Sequence, residues 1–90
     1  MIAHVIVTGR VQGVGFRFTV QQAAQNYGVT GWVRNKHDGS VEMEVSGETQ
    51  LVKDFLKAVK AGLNPAIRVD DMNVEWQEDE KSKFKTFSIK

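Results

Sequence analysis

The chain contains no cysteine. That absence excludes disulfides, thiolate metal ligands and a cysteine nucleophile, so the hydrophobic core alone must hold the fold. An excess of one charge is also missing: 12 Lys and Arg face 11 Asp and Glu, for a formal net charge of +1. Such a balance argues against a polycation that wraps nucleic acid, while leaving room for a local basic patch where Arg10, Arg17, Arg34 and Lys36 gather on folding. Histidine is scarce, and His4 and His37, far apart and with no cysteine beside them, make a poor metal site. Long apolar runs are lacking as well. The opening MIAHVIV is broken by Thr8, Gly9 and Arg10, too short for a signal segment or a membrane span, and nothing later approaches spanning length. A cytoplasmic chain without a membrane partner is the expectation.

What is present suits one compact module. Ninety residues with 41% hydrophobic content suffice for a single core, so residues 1–90 are expected to form one domain and a monomer. Residues 2–8 are rich in β-branched side chains and stop at Gly9, the pattern of a buried strand. Phe16, Val20, Ala23, Ala24 and Tyr27 then recur at helical spacing, and Gly28 supplies a stop. Residues 29–35 are β-prone, and Val41, Met43 and Val45 alternate with Glu42, Glu44 and Ser46, so these two stretches predict a hairpin around the KHDG turn at residues 36–39. From Thr49, read as an N-cap, the residues Leu51, Val52, Phe55, Leu56 and Val59 trace a second helical stripe ending near Gly62 and Pro65. A further strand spans residues 67–76 with Val69, Met72, Val74 and Trp76 as core candidates and Asp70-Asp71 as a bulge. The polar run at residues 77–83 reads as a solvated turn, and Phe84, Phe87 and Ile89 as a last strand. The order βαββαβ plus a short β predicts a ferredoxin-like α/β sandwich, with two helices on one face of a mostly antiparallel sheet.

Between the first strand and the first helix lies GRVQGVGFRF, three glycines and two arginines in ten residues. A helix start leaves backbone N–H groups without intrahelical partners and attracts anions. Gly13 and Gly15 can take backbone angles closed to other residues, so the amides of Gln12, Gly13, Val14, Gly15, Phe16 and Arg17 can turn inward as a nest for a tetrahedral anion. Arg17 adds a planar fork suited to phosphate oxygens. The competing account is that the glycines only permit a tight turn and both arginines are solvated. Neither the GxxxxGK[ST] loop nor the dinucleotide fingerprint is present.

Residues 7–17, VTGRVQGVGFR, resemble the signature of the acylphosphatase family. Residues 31–47, GWVRNKHDGSVEMEVSG, resemble that family's second signature, a Gly-aromatic-Val group, a fixed Asn, then Gly, Val and Gly at set spacings. The likeness extends over essentially the whole chain. It implies hydrolysis of the carboxyl–phosphate anhydride of a small-molecule acyl phosphate, without metal or cofactor. It also implies Arg17 and Asn35 as catalytic residues and the loop amides from Gln12 to Arg17 as the phosphate cradle, with Asn35 orienting the attacking water. Phosphoryl transfer through a loose transition state needs mainly positioning and charge stabilisation, and a carboxylate leaves without a general acid, so a site this spare is chemically sufficient.

Other constellations carry less. Asp70-Asp71 and Glu78-Asp79-Glu80 read as solvated surface charge, Trp32, Trp76 and Phe55 as core or half-buried residues, and Asn35 without its motif would be a hairpin turn residue. Arg10 and Arg34 are either solvated or help steer anions. An RNA-recognition module shares the βαββαβ order, but the third strand carries Glu42 and Glu44 instead of aromatics, so no nucleic-acid partner is expected. A non-catalytic phosphate- or RNA-binding module of the same fold is the alternative.

Overall fold

β1 (Ile2–Arg10) owes its place to alternation. Ala3, Val5 and Val7 are fully buried, His4 and Ile6 between them are half-buried, and Thr8 is exposed. A strand covered on one face and partly on the other belongs inside a sheet. The computed structural model, which describes residues 1–78 and 84–90, puts it there. After it come α1 (Phe16–Tyr27), β2 (Thr30–Asn35), β3 (Val41–Ser46), α2 (Thr49–Lys60), β4 (Arg68–Gln77) and β5 (Phe87–Ile89). The sheet order is β4-β1-β3-β2-β5, with every pairing antiparallel except that of β2 with β5. This is the ferredoxin-like βαββαβ arrangement with an added C-terminal strand.

The core forms where the odd-numbered strand residues meet both helices. Ala3, Val5, Val7, Val33, Val41, Met43 and Val45 share one cluster with Phe16, Val20 and Ala24 of α1 and Val52, Phe55, Leu56 and Val59 of α2. Phe55 meets Tyr27 and Phe87 edge-on, with ring centroids 6.1 and 6.0 Å apart, so three elements close around one aromatic side chain. α1 ends as expected at Gly28, where the Val29 N–H reaches back to the Ala24 carbonyl at 3.0 Å. Gly31 is required by space: a Cβ there would overlap the Glu44 carbonyl oxygen across the β2–β3 pair. The bulge expected at Asp70-Asp71 is present, since Thr8 pairs with Asp71 and Gly9 with Val69, leaving Asp70 as the extra residue.

Several local expectations differ from the outcome. Thr49 is the first helical residue of α2 and not its cap; Glu48 occupies the cap without a side-chain bond. Burial of the stripe Val52, Phe55, Leu56 and Val59 sets this helix start more than capping does. Leu51 lies one residue off that stripe and is exposed. Trp76 is 38% exposed because β4 is an edge strand, paired among the described residues only with β1 and incompletely covered by α2. Gln77 closes β4 instead of opening a turn, and Phe84 precedes β5 without joining it. The rest of the polar turn, residues 79–83, lies outside the described residues.

Candidate active site

The β1–α1 loop takes its shape from two glycines. Gly13 and Gly15 have φ of 76° and 74°, left-handed values that L side chains adopt at a cost of roughly 1–2 kcal/mol. A Cβ on either would meet nothing within 4 Å, so conformation and not crowding calls for glycine. Gly15 is the N-cap of α1, with no side-chain cap. The first intrahelical bond runs from the Thr19 N–H to the Gly15 carbonyl at 3.0 Å, supported by the Thr19 hydroxyl at 2.9 Å. The amides of Phe16, Arg17 and Phe18 therefore have no helical carbonyl to bond, and the positive end of the helix dipole lies beside them.

In front of this helix start is a pocket of about 210 Å³, lined by Val11, Gly13, Gly15, Phe16, Arg17, Phe18, Asn35 and Ile89. Arg17 and Asn35, 18 positions apart in sequence, thus share one wall system. β1 and β2 run parallel with β3 between them, which brings the end of β2 level with the loop leaving β1. The Arg17 Nη1 donates to the Lys90 main-chain oxygen at 3.4 Å, leaving most of its five donors for a ligand. Asn35 ends β2 opposite Val41, and its carboxamide has no hydrogen-bond partner among the described residues.

Of the loop residues expected to cradle an anion, Gly13, Gly15, Phe16 and Arg17 line the pocket, whereas Gln12 and Val14 do not. Val14 packs against the core. Gln12 has a role the sequence did not disclose: its Nε2 donates to the carbonyls of Lys36 and Ser40, each at 2.8 Å, clipping the glycine loop to the neck of the β2–β3 hairpin. That neck is closed by the Lys36 N–H to the Ser40 carbonyl at 2.9 Å. The Asp38 carboxylate accepts from the Ser40 hydroxyl at 2.6 Å and its N–H at 2.9 Å, bonds that hold the Asp38 pKa below its ordinary value. Asn35 and the glycine loop are therefore braced against each other by side-chain amide, turn and carboxylate together. A glutamine before a glycine carries no periodic signal, so only the tertiary contact reveals this brace.

On the opposite sheet face, Glu42 accepts from His4 at 2.7 Å and from Arg34 at 2.6 Å. The His4 bond, then Arg34, hold its carboxyl below the usual range, with burial opposing them. Arg34 also lies 5.6 Å from the centroid of the Trp32 ring. Of the four cations that composition suggested for a patch, only Arg17 lines the pocket; Arg34 is engaged by Glu42. Among the described residues no group of three or more His, Asp or Glu side chains could hold a metal ion, and no helix is long and apolar enough to cross a membrane.

Fold and pocket together define a ferredoxin-like α/β sandwich with a pocket at a glycine-shaped helix start and an arginine beside it. The sequence model of the family described as Acylphosphatase matches residues 3–89. An acylphosphatase of Bacillus pumilus is 53% identical over 87 residues, covering 97% of this chain and 94% of that one. One from Bacillus licheniformis is 47% identical over 96% of this chain and 93% of its own. The crystal structure of acylphosphatase from Bacillus subtilis superposes with a TM-score of 0.87 at 41% identity, covering 99% of this chain and 98% of that one. The chain belongs to the acylphosphatase family.

Proposed function

We propose that this protein hydrolyses the carboxyl–phosphate anhydride of small-molecule acyl phosphates, with Arg17 and Asn35 as its catalytic residues. The observation that carries the reading is the meeting of Arg17, Asn35, Gly13 and Gly15 around one pocket at the start of α1. The phosphoryl group sits against the loop amides and the Arg17 guanidinium, which offset the charge on its oxygens and need no reorganisation during reaction. Asn35, with its carboxamide uncommitted among the described residues, holds a water in line with the anhydride bond. The water oxygen forms the new P–O bond as the bond to the acyl oxygen breaks. The electron pair leaves with the carboxylate, and the water proton passes to a phosphate oxygen.

Membership of the acylphosphatase family and the two matching signature stretches support this reading. Arg17, the single charged residue lining the pocket among the described residues, matches the demand for one permanent cation at the phosphoryl group. The same proposal has residues 1–90 acting as one domain and a monomer in the cytoplasm, with no metal or other cofactor. It includes no nucleic-acid partner: Glu42 and Glu44 stand on the open sheet face that an RNA strand would have to cover.

The test is phosphate release from benzoyl phosphate, with chelator present, by wild type, Arg17→Ala and Asn35→Ala. Wild type is expected to turn over, and each variant to lose about 10²–10³ in kcat. Arg17→Ala also loses affinity for inorganic phosphate, whereas Asn35→Ala keeps it, because its partner is the water. A folded wild type without turnover would leave a phosphate-binding module of the same fold.

A further inference from the structure

α2 carries a row of lysines that the fold leaves without partners. Lys53, Lys57 and Lys60 follow the i, i+4, i+7 spacing of one helix face, so they stand in line over about 10 Å. All three are exposed, and none of their ammonium groups has a hydrogen-bond or ion-pair partner among the described residues. Asp54, the only carboxylate of the helix, lines a separate hollow and accepts from the Gln50 side chain at 2.9 Å. Between α2 and β4 lies a groove of about 320 Å³, with the three lysines and Leu56 lining it from the helix and Met72, Val74 and Trp76 from the strand.

β4 supplies a second row. Met72, Val74 and Trp76 stand in register with the buried Val7, Val5 and Ala3 of β1, on the helix side of the sheet, and cover about 13 Å of strand. Glu75, paired with His4, alternates to the opposite face, so no carboxylate enters the lining among the described residues. The core uses this row only in part: Met72 and Val74 are half-buried, and Trp76 is exposed at the sheet edge. A cationic row and an apolar row of similar length, side by side, are complementary to a segment that carries acidic and large apolar side chains in adjacent rows. A flat lipid surface does not reach half-buried residues in a groove, and a second copy docked isologously would set one lysine row against the other. We propose that the α2–β4 groove docks a partner protein's amphipathic segment, acidic on one side and aliphatic or aromatic on the other. This groove shares no lining residue with the pocket at α1, so the proposal stands independently of the hydrolase reading.

The test uses the full chain, isotope-labelled for amide chemical shifts, and a capped peptide of three Glu-Glu-Leu-Leu repeats, with affinities from calorimetry. Two control peptides separate the contributions. Lys-Lys-Leu-Leu repeats keep the apolar row and reverse the charge; Glu-Glu-Ser-Ser repeats keep the charge and remove the apolar row. The acidic apolar peptide is expected to bind saturably, with shifts concentrated in residues 53–60 and 72–76, and about tenfold more tightly than either control. Trp76→Ala weakens that binding about tenfold. The combined reversal Lys53→Glu, Lys57→Glu and Lys60→Glu transfers the preference to the Lys-Lys-Leu-Leu peptide. The three peptides decide the question on wild type alone if a variant does not fold. No binding, equal binding of all three peptides, or shifts centred away from the groove would overturn the proposal. So would groove signals that move with protein concentration in the absence of peptide, which assign the groove to a second copy. Groove signals perturbed by phosphatidylglycerol vesicles and not by the acidic peptide would overturn it in favour of a lipid surface.

Discussion

Single residues here act through few, short contacts. Glu42 is the clearest case, a half-buried carboxylate bonded by His4 and Arg34 on the open sheet face. Its pKa lies below its ordinary value of 4.5 when folded. The unfolded chain therefore binds a proton at this position more readily, and the stabilisation is full above about pH 5 and is lost as pH falls through the lowered value. Glu42→Gln is expected to flatten the acid side of the stability curve, giving a smaller loss of unfolding free energy between pH 6 and pH 3 in urea titrations than wild type shows. An unchanged acid slope would mean that other carboxylates carry the acid sensitivity.

At the scale of elements, the site depends on how the β1–α1 loop and the β2–β3 hairpin are held together. Gln12 links them through two 2.8 Å bonds to the Lys36 and Ser40 carbonyls. Gln12→Leu removes both donated bonds while keeping most of the volume. Unfolding free energy should fall by about 1–3 kcal/mol, measured by thermal and urea denaturation. Turnover should fall as well, because Asn35 adjoins the loosened neck and small displacements are expensive in the in-line reaction proposed for it. Stability lost with kcat retained would show that the brace serves the fold alone.

The whole molecule couples the pocket to global stability. The lining comes from β1's exit loop, α1, β2 and β5, elements distributed along most of the chain, so a ligand held there is bound by the folded state only. Inorganic phosphate, the product of the proposed reaction, should raise the unfolding free energy by about 2.7 kcal/mol at a concentration 100 times its Kd. The rise in Tm should be absent in Arg17→Ala. A phosphate-dependent Tm that survives this substitution would put the anion elsewhere on the surface.

Much of this was legible in the one-dimensional pattern, because it depends on short-range physics. Alternation in residues 2–8 and 41–46, helical spacing from Phe16 to Tyr27, and glycines bracketing turns dictate local conformation whatever the partner element. The bulge at Asp70 was visible as broken alternation, and two signature stretches marked Arg17 and Asn35 as candidates, which the fold brings to one pocket. Only the tertiary structure decided what depends on distant packing. Trp76 has the pattern of a core residue, yet it is exposed because its strand falls at the sheet edge. Gln12 clips a hairpin 24 and 28 residues away, and Ile89 enters a pocket built largely by residues 11–18. Sequence periodicity records which face of an element is apolar; which elements become neighbours, and so which side chains complete the site, is set by sheet order.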